Sequence, residues 1–326
     1  MKKWLLPLAA LLVLLALGAC GNNNNNGSGS ASQPASSGAS PSASAPASPS
    51  AEADSNARIT YQSQTGPVEV PMYPQRVIVL SSYAGDVLSL DVPLVGVDSW
   101  SKMNPNFQDR LKDVPAVSDD NLEQIVELQP DLIIGLDNVK NLDKLKQIAP
   151  TVVFTYGKLD YLSQHVEVGK ALNKEKEAQA WVDGFKQRAA EIGTQIKAKI
   201  GADATVSVIE NFEKQLYVFG DNWGRGTEIL YQEMGLAMPQ KVKDMTKADG
   251  YYALSQEVLP DFAGDYVIFS KNADGDSAFQ QTDTYKNIPA VKNGRVYEAD
   301  AKAFYFNDAL TLDYQLDFIK QKFLGN

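Results

Sequence analysis

Residues 174–200, KEKEAQAWVDGFKQRAAEIGTQIKAKI, constrain how the chain on either side of them can be arranged. Their apolar side chains recur at steps of three and four, the spacing of one helix face: Ala178, Trp181, Val182, Phe185, Ala189, Ile192, Ile196 and Ile200. No proline interrupts the pattern, so we predict a helix of roughly 40 Å at 1.5 Å per residue. A helix of that length is too long for a small lobe, and we expect it to join two lobes.

Short apolar runs alternate with helical patterns on both sides of this helix. A hairpin over 59–71 comes first, with its turn at Thr65-Gly66. The strand-like runs are 76–80, 94–97, 131–134 and 151–155 before the helix, and 204–209, 216–219, 266–269 and 295–298 after it. The helical patterns are 84–90, 122–128, 141–148, 226–234 and the segment from Asp308 onward.

This alternation is typical of parallel sheets whose faces are covered by helices. The predicted fold class is therefore α/β, with two β/α lobes, each built on a parallel-rich sheet. We assign residues 58–160 to an N-terminal lobe, 161–200 to one connecting helix and 201–326 to a C-terminal lobe.

A short pattern occurs once on each side of the connecting helix. Glu123 precedes Asp131 by eight residues and Glu257 precedes Asp265 by eight, and each aspartate opens an apolar strand. Within the matching β/α context, the echo indicates two lobes of similar build. On the residues alone, both glutamates are best interpreted as solvated helix carboxylates.

The N-terminus is typical of an exported lipoprotein. Lys2 and Lys3 precede an apolar run over 4–17, which has the length of a signal peptide and is short for a membrane span. Leu17-Gly-Ala-Cys20 follows, contains the one cysteine of the chain and resembles the lipobox of bacterial lipoproteins. We predict a signal peptide over 1–19 and acylation of Cys20, which places the protein on the outer face of the cell membrane. The alternative is an ordinary secretory peptide with a stray cysteine.

The segment after Cys20 is composed mostly of Gly, Asn, Ser, Ala and Pro up to residue 57. Such a composition cannot bury enough apolar surface to fold, so a disordered linker of roughly 30–35 Å is expected. Loss of the signal peptide with its two lysines changes the formal charge from −10 to −12. So acidic a chain is a poor partner for nucleic acid. We expect a monomer stabilised by its hydrophobic cores, without disulfides.

The sequence carries little that indicates catalysis, and we predict that the protein is not an enzyme. His165 is the one histidine and lies in a helical stretch, and no Gly-x-Ser-x-Gly motif is present. Phosphate-binding and dinucleotide-binding glycine motifs are also missing from the sequence. One histidine and an acylated cysteine cannot form a zinc site of the usual kind. We therefore expect no cofactor and no metal bound directly by the protein.

The most unusual segment is YVFGDNWGRG at 217–226, between a predicted strand and a predicted helix. Ligands bind at this edge of open α/β sheets, and the glycines permit tight turns that present Trp223 and Arg225. The alternatives are a core tryptophan with a surface arginine, or a phosphate site at the helix N-terminus. Two further aromatic candidates are Tyr156, after a strand, and Tyr305, before the last helix, with core packing as the alternative for each.

On these features the chain resembles the substrate-binding proteins of ABC importers, in the class that serves iron-siderophores and cobalamin. The resemblance rests on the lipobox, the two lobes with one long helix, and the segment that ends in Pro130-Asp131. It is strongest over 217–308, which resembles Gram-positive lipoproteins that bind ferric hydroxamates, and weaker back to about residue 75. The matching motifs are GDNWGRG (220–226), ILYQ (229–232), AGDY (263–266) and YFND (305–308). The resemblance implies a class III periplasmic-binding-protein-like fold.

The resemblance also implies roles for individual residues. Tyr156 and Trp223 would pack on the siderophore, and Arg225 would donate hydrogen bonds to the hydroxamate oxygens on iron. Tyr305 occupies a position at which the ferric hydroxamate-binding lipoproteins that the chain resembles have tryptophan. Tyr217 and Tyr83 would be further wall residues.

The same resemblance changes the interpretation of the two echoed glutamates. Glu123 and Glu257 match surface glutamates that dock on arginines of the importer's permease. The function implied is a membrane-tethered receptor that binds a ferric hydroxamate siderophore between its lobes and delivers it to an ABC permease. Iron would be bound only through the siderophore, which supplies all six oxygen ligands.

Charge distinguishes among the ligand classes. A ferric tris-hydroxamate is near neutral, whereas a tris-catecholate is strongly anionic and calls for several cations. The glycine-rich motif supplies Arg225, with Lys158 and Lys102 as candidate neighbours, so hydroxamate is favoured. The alternative within the class is a receptor for a catecholate, another iron chelate or cobalamin. From other classes, a cell-surface hydrolase or an adhesin remains open.

Overall fold

The computed structural model describes residues 57–325. The predicted signal peptide, Cys20 and all but the last residue of the predicted linker lie outside these residues. Within the part that is described, no helix is both long enough and apolar enough to cross a membrane.

The first half of the described chain is a hairpin followed by a four-stranded sheet. Its strands are β1 (Arg58–Ser63), β2 (Gly66–Pro71), β3 (Val77–Val79), β4 (Leu94–Val97), β5 (Leu132–Leu136) and β6 (Thr151–Phe154). Its helices are α1 (Ala84–Ser89), α2 (Ser99–Met103), α3 (Gln108–Leu111), α4 (Leu122–Glu127) and α5 (Leu142–Ile148). β1 and β2 pair antiparallel, and the sheet order β4-β3-β5-β6 is parallel throughout.

Both faces of this parallel sheet are buried, which explains why its strands are short continuous apolar runs. Successive residues of β3 point into two different cores. Val77 and Val79 pack in a core with Leu132, whereas Ile78 packs in a second core with Ile133. The prediction of a helix-covered parallel sheet is confirmed for this half.

The prediction of one connecting helix over 161–200 is wrong. The segment forms two helices, α6 (Tyr161–Ala171) and α7 (Glu175–Ile200), separated by a turn in which Asn173 is left-handed at φ 58°. The N–H of Lys174 closes this turn on the carbonyl of Gly169 at 2.7 Å. α7 has 26 residues, so the long helix predicted from the periodicity of 174–200 is confirmed.

The apolar face of α7 contacts both halves of the protein. Ala178, in its first turn, packs in the core of the first sheet. Its later apolar residues pack in the core of the second sheet: Val182, Phe185, Ala189, Ile192 and Ile196. α7 is therefore built mainly into the second half, with one turn against the first.

The second half contains a five-stranded mixed sheet in the order β11-β10-β7-β8-β9. The strands are β7 (Val206–Phe212), β8 (Gln215–Phe219), β9 (Tyr251–Leu254), β10 (Tyr266–Lys271) and β11 (Val296–Asp300). The helices are α8 (Gln240–Thr246), α9 (Asp283–Lys286), α10 (Pro289–Lys292), α11 (Ala301–Phe304) and α12 (Ala309–Leu324). A π-helical segment, Glu228–Glu233, occupies the region where a helix is predicted over 226–234.

One strand of this sheet, β8, runs against its neighbours. β7, β10 and β11 pair in parallel, and β8 pairs antiparallel with both of its neighbours, β7 and β9. Only Glu213 and Lys214 separate β7 from β8, and a parallel pair needs a crossover of a dozen or more residues. The sheet is parallel-rich at one edge and antiparallel at the other.

The echoed aspartates occupy equivalent positions in the two sheets. Asp131 accepts hydrogen bonds from the backbone N–H groups of Gln75 and Arg76, at 2.6 and 3.0 Å, just before β3. Asp265 accepts from the backbone N–H of Thr205 at 2.8 Å, just before β7. In each sheet the aspartate opens a strand and fixes the start of the parallel strand beside it. The similar build indicated by the sequence echo therefore has a structural basis.

Candidate ligand-binding cleft

A cavity of about 510 Å³ lies between the two sheets and is lined by residues of both halves. Its walls include Tyr83, Tyr156 and Lys158 from the first half, Gln164 from α6, and Asn222 and Trp223 from the second half. Concave sites with aromatic walls and a few polar groups are typical of small-molecule binding. The structure thus brings three of the predicted site residues, Tyr83, Tyr156 and Trp223, onto one cavity.

The two tyrosines of the first half follow the carboxyl ends of parallel strands. Tyr156 comes two residues after β6 and is 74% exposed. Tyr83 follows β3, is buried, and packs edge-on against Phe154 with ring centroids 5.2 Å apart. Burial raises the pKa of the Tyr83 phenol to about 12, so it is a neutral hydrogen-bonding group at physiological pH. Tyr156 is available to cover a ligand, whereas Tyr83 forms the floor.

The glycine-rich loop after β8 holds three successive residues in the left-handed region: Gly224 (φ 69°), Arg225 (φ 58°) and Gly226 (φ 80°). The backbone N–H of Arg225 donates to the carbonyl of Phe304 at 2.8 Å. A Cβ added to Gly224 would lie 2.5 Å from the carbonyl oxygen of Tyr305. The loop is therefore pressed directly against the segment that carries Tyr305, at a position that only glycine fits.

A buried glutamate fastens this loop from inside. Glu228 accepts hydrogen bonds from the N–H of Gly224 at 2.9 Å, from the side-chain amide of Asn307 at 3.0 Å and from the hydroxyl of Thr227 at 3.1 Å. Burial raises the pKa of this carboxyl above its ordinary value. Glu228 thus links the glycine-rich loop to the chain that leads into α12.

The guanidinium of Arg225 forms a buried ion pair. Its Nη2 and Nε donate to the two carboxylate oxygens of Glu210 at 3.0 and 3.2 Å. Its Cζ lies 4.7 Å from the ring centroid of Phe219 and 4.9 Å from that of Tyr305. The cation predicted at this site is therefore present between two aromatic rings, and it is already paired with a carboxylate.

Further aromatic side chains do not line the cavity but contact one another near the glycine-rich loop. Trp223 and Tyr217 both contact Tyr251, with ring centroids 5.0 and 5.9 Å apart, respectively. Tyr305 contacts Trp100, which belongs to α2 in the first half, at 5.8 Å. The aromatic groups thus form two patches: Tyr217, Trp223 and Tyr251 in one, and Trp100 and Tyr305 with Arg225 in the other.

The two predicted lysines and the histidine lie in different places. Lys158 lines the cavity, whereas the Lys102 ammonium donates to the carbonyl of Leu111 at 2.5 Å and is not part of the cavity wall. His165 is 1% exposed, and its Nδ1 lies 3.0 Å from Oδ1 of Asp86. Its ring also packs edge-on against Trp181 at 4.8 Å. These contacts give His165 a place in the packing between α1, α6 and α7.

The two echoed glutamates are both exposed. Glu123 lies in the first turn of α4, and Glu257 lies just before the short helical turn Leu259–Asp261. Its own backbone N–H, together with Ser255, holds the pKa of the Glu257 carboxyl below its ordinary value. Each is therefore a solvent-facing carboxylate, one in each half of the protein.

Three residues near the cavity or the glycine-rich loop were not predicted from the sequence. Trp100 lies shortly after β4, at the sheet edge where ligands bind, so its position could have indicated it. Tyr251 belongs to an edge strand that was not predicted. Glu210 is an acidic residue inside the buried strand VSVIENF, and that anomaly is a recognisable signal.

The fold and the cleft define a two-lobed binding protein, and the chain belongs to the periplasmic binding protein family, whose model matches residues 77–303. It is 36% identical over 319 residues to the iron(3+)-hydroxamate-binding protein FhuD of Bacillus subtilis, covering 96% of this chain and 95% of that protein. It is 38% identical over 269 residues to the iron(3+)-hydroxamate-binding protein YxeB of the same organism, covering 80% and 83%. FhuD2 of Staphylococcus aureus with bound ferrioxamine B matches at a TM-score of 0.73 and 35% identity, covering 77% of this chain and 99% of that one.

Proposed function

We propose that this protein binds ferric hydroxamate siderophores in the cleft between its two lobes and delivers them to an ABC importer permease. The observation that carries the proposal is the aromatic site whose arginine, Arg225, is already paired with Glu210, which leaves Lys158 as the lysine of the cavity wall. A ferric tris-hydroxamate has no net charge on its iron centre, so it suits a site without excess positive charge. The hydroxamate-binding relatives named above support the same ligand class.

Each predicted site residue has a proposed role in this function. Tyr156 and Trp223 pack on the siderophore from opposite lobes, and Tyr83 and Tyr217 complete the wall. Arg225 donates hydrogen bonds to the iron-bound hydroxamate oxygens, and Tyr305 supplies an aromatic face beside it. Iron is held entirely by the siderophore and is cargo.

The transport role uses surfaces away from the cleft. We propose that residues 58–160 and 201–326 act as the two lobes, with α6 and α7 as the connection. Glu123 and Glu257, one on each lobe, dock on basic residues of the permease. A lipid on Cys20 and the linker after it keep a monomeric receptor at the outer face of a Gram-positive membrane.

Intrinsic fluorescence tests the ligand class directly. Titration with ferrioxamine B should quench the tryptophan emission saturably, because Trp223 lies on the cavity. A panel with a tris-catecholate, ferric citrate and cobalamin decides between the hydroxamate receptor and its alternatives. Absence of saturable quenching by any hydroxamate contradicts the proposal.

Calorimetric titration of variants tests the site itself. Trp223→Ala should weaken binding by about 10- to 100-fold, the range expected for a central aromatic contact. Tyr73→Ala is the control, since Tyr73 is an exposed aromatic residue that does not line the cavity. Unchanged affinity in the double variant of Trp223 and Arg225 to alanine would refute the assignment.

A further inference from the structure

Glu210 is a buried carboxylate whose pairing with Arg225 has a consequence for ligand selection. It lies on β7, and only 1% of its surface is exposed. Its two oxygens accept from Nη2 and Nε of Arg225 at 3.0 and 3.2 Å, and Oε2 also accepts from the hydroxyl of Ser270 at 2.6 Å. A carboxylate in this position is held by a two-point contact that fixes the direction of its partner.

The pairing limits what Arg225 can offer to a ligand. A guanidinium has five N–H donors. Two of them donate to Glu210, and one on Nη1 donates to the carbonyl of Trp223 at 3.2 Å. At most two remain for a ligand, and the rings of Phe219 and Tyr305 lie close to the guanidinium. Arg225 is therefore an oriented hydrogen-bond donor whose charge is largely cancelled.

The charged groups around Tyr305 do not restore a positive site. Asp300 and Asp274 lie near enough to add to the rise of the Tyr305 pKa that burial causes, and Lys302 pairs with Asp274 at 3.2 Å. Taken with Arg225 and Glu210, these groups carry one net negative charge. A multiply anionic chelate would meet repulsion here, whereas a neutral chelate would not.

We propose that Glu210 is a specificity-determining residue that orients Arg225 and cancels its charge, so that the cleft accepts neutral ferric chelates and discriminates against multiply anionic ones. This inference rests on the proposed function, because it assumes that the chelate contacts Arg225. It assigns the preference for hydroxamate over catecholate to a residue that does not itself need to touch the ligand. Glu210 thus acts as a positioning residue through Arg225.

The test compares neutral ferrichrome with a trianionic ferric tris-catecholate by calorimetric titration. Glu210→Gln keeps the shape of the side chain and removes its charge. The ratio of the two dissociation constants, catecholate over ferrichrome, should fall by roughly 10- to 100-fold, from the Coulomb interaction of three charges at about 10 Å in a medium of intermediate dielectric constant. Glu127→Gln makes the same change of net charge at an exposed site on α4 and should leave the ratio unchanged.

Two further measurements separate orientation from charge and do not depend on the glutamine variant folding. Glu210→Asp keeps the charge but shortens the side chain by one methylene, which disturbs the two-point contact with Arg225. Ferrichrome affinity should therefore fall about tenfold, while the ratio of the two dissociation constants stays near that of the natural protein. In the natural protein, added NaCl should not weaken binding of the tris-catecholate, because salt screens repulsion here.

The outcomes distinguish this inference from the proposed function. If the natural protein binds neither ferrichrome nor ferrioxamine B, the proposed function fails. If it binds ferrichrome and Glu210→Gln leaves the ratio unchanged or weakens both chelates equally, the role of Glu210 is overturned and the proposed function stands. A catecholate affinity that falls as NaCl is added, as it would for a cationic site, also overturns the role of Glu210.

Discussion

Replacing Gly224 with alanine tests whether the glycine-rich loop is held against the Tyr305 segment as tightly as the structure has it. Gly224 has φ 69°, and a Cβ there would lie 2.5 Å from the carbonyl oxygen of Tyr305. That oxygen cannot swing away as a side chain could, because it is backbone. The neighbouring Arg225 N–H is also bonded to the Phe304 carbonyl at 2.8 Å, which keeps the two segments together.

Two physical costs combine in the Gly224→Ala variant. The left-handed conformation costs an alanine about 1–2 kcal/mol relative to glycine. Forcing a methyl group into a packed contact adds about 1–3 kcal/mol, as for other overpacked sites. The free energy of unfolding should therefore fall by about 2–5 kcal/mol. Because the loop carries Trp223 and Arg225, ferric hydroxamate affinity should fall in the variant that remains folded.

Urea unfolding followed by circular dichroism measures the loss of stability, and calorimetric titration measures the affinity. Gly294→Ala is the matched control, since Gly294 has φ 65° and nothing lies within 4 Å of its added Cβ. The control should lose only the conformational part, about 1–2 kcal/mol. Equal losses in the two variants would show that the contact with Tyr305 is not tight, and the account of the loop would be refuted.

Two further predictions concern packing and pH. Gly193→Ala should lower the free energy of unfolding, measured in urea, by about 1–3 kcal/mol, because its Cβ would lie 2.7 Å from the backbone of Met234. Gly184→Ala, on the exposed face of the same helix, is the control and should raise it by about 0.5–1 kcal/mol. A change of the same sign in both variants would contradict the packing of α7. Burial, and then the charge of Asp86, raises the pKa of the Asp308 carboxyl from 3.8 to about 7. Between these values the folded protein holds a proton that the unfolded chain has released, so this stabilisation is complete below about pH 4 and is lost as pH rises through about 7. Asp308→Asn keeps a side-chain oxygen for the helix cap, and its free energy of unfolding should exceed that of the natural protein by a margin that grows between about pH 4 and pH 7. A margin that does not change with pH would contradict this prediction.

The elements that the sequence predicted are those with a strong local signal. The buried strands β5 and β6 are continuous apolar runs, and α7 repeats its apolar residues over seven turns. The turn at Asn173 was missed because the apolar pattern does not record a single left-handed residue. β9 was missed because its first three residues are exposed, so an edge strand of this kind has no apolar alternation.

The site residues also separate into those with a local sequence signal and those that only the fold brings together. Trp223 and Arg225 could be singled out because glycines surround them, and a glycine-rich turn after a strand has few structural uses. The contacts of Trp100 with Tyr305 and of Tyr251 with Trp223 join segments far apart in the chain, so only the folded arrangement reveals them. The pairing of Arg225 with Glu210 is the most consequential contact that the sequence did not indicate, since it changes the charge of the site.

Two buried carboxylates explain how a loop with three left-handed residues can be rigid. Glu228 accepts from the backbone at its start, and Glu210 binds the side chain at its centre. A left-handed arginine is unfavourable in isolation, so the conformation persists only because these bonds and the contact with the Tyr305 segment hold it. A loop already fixed in this way loses little conformational entropy when a ligand arrives, and preorganisation of this kind increases affinity without adding contacts. Substitutions at Glu228, which also lines the cavity, should therefore weaken ligand binding through the loop as well as at the cavity wall.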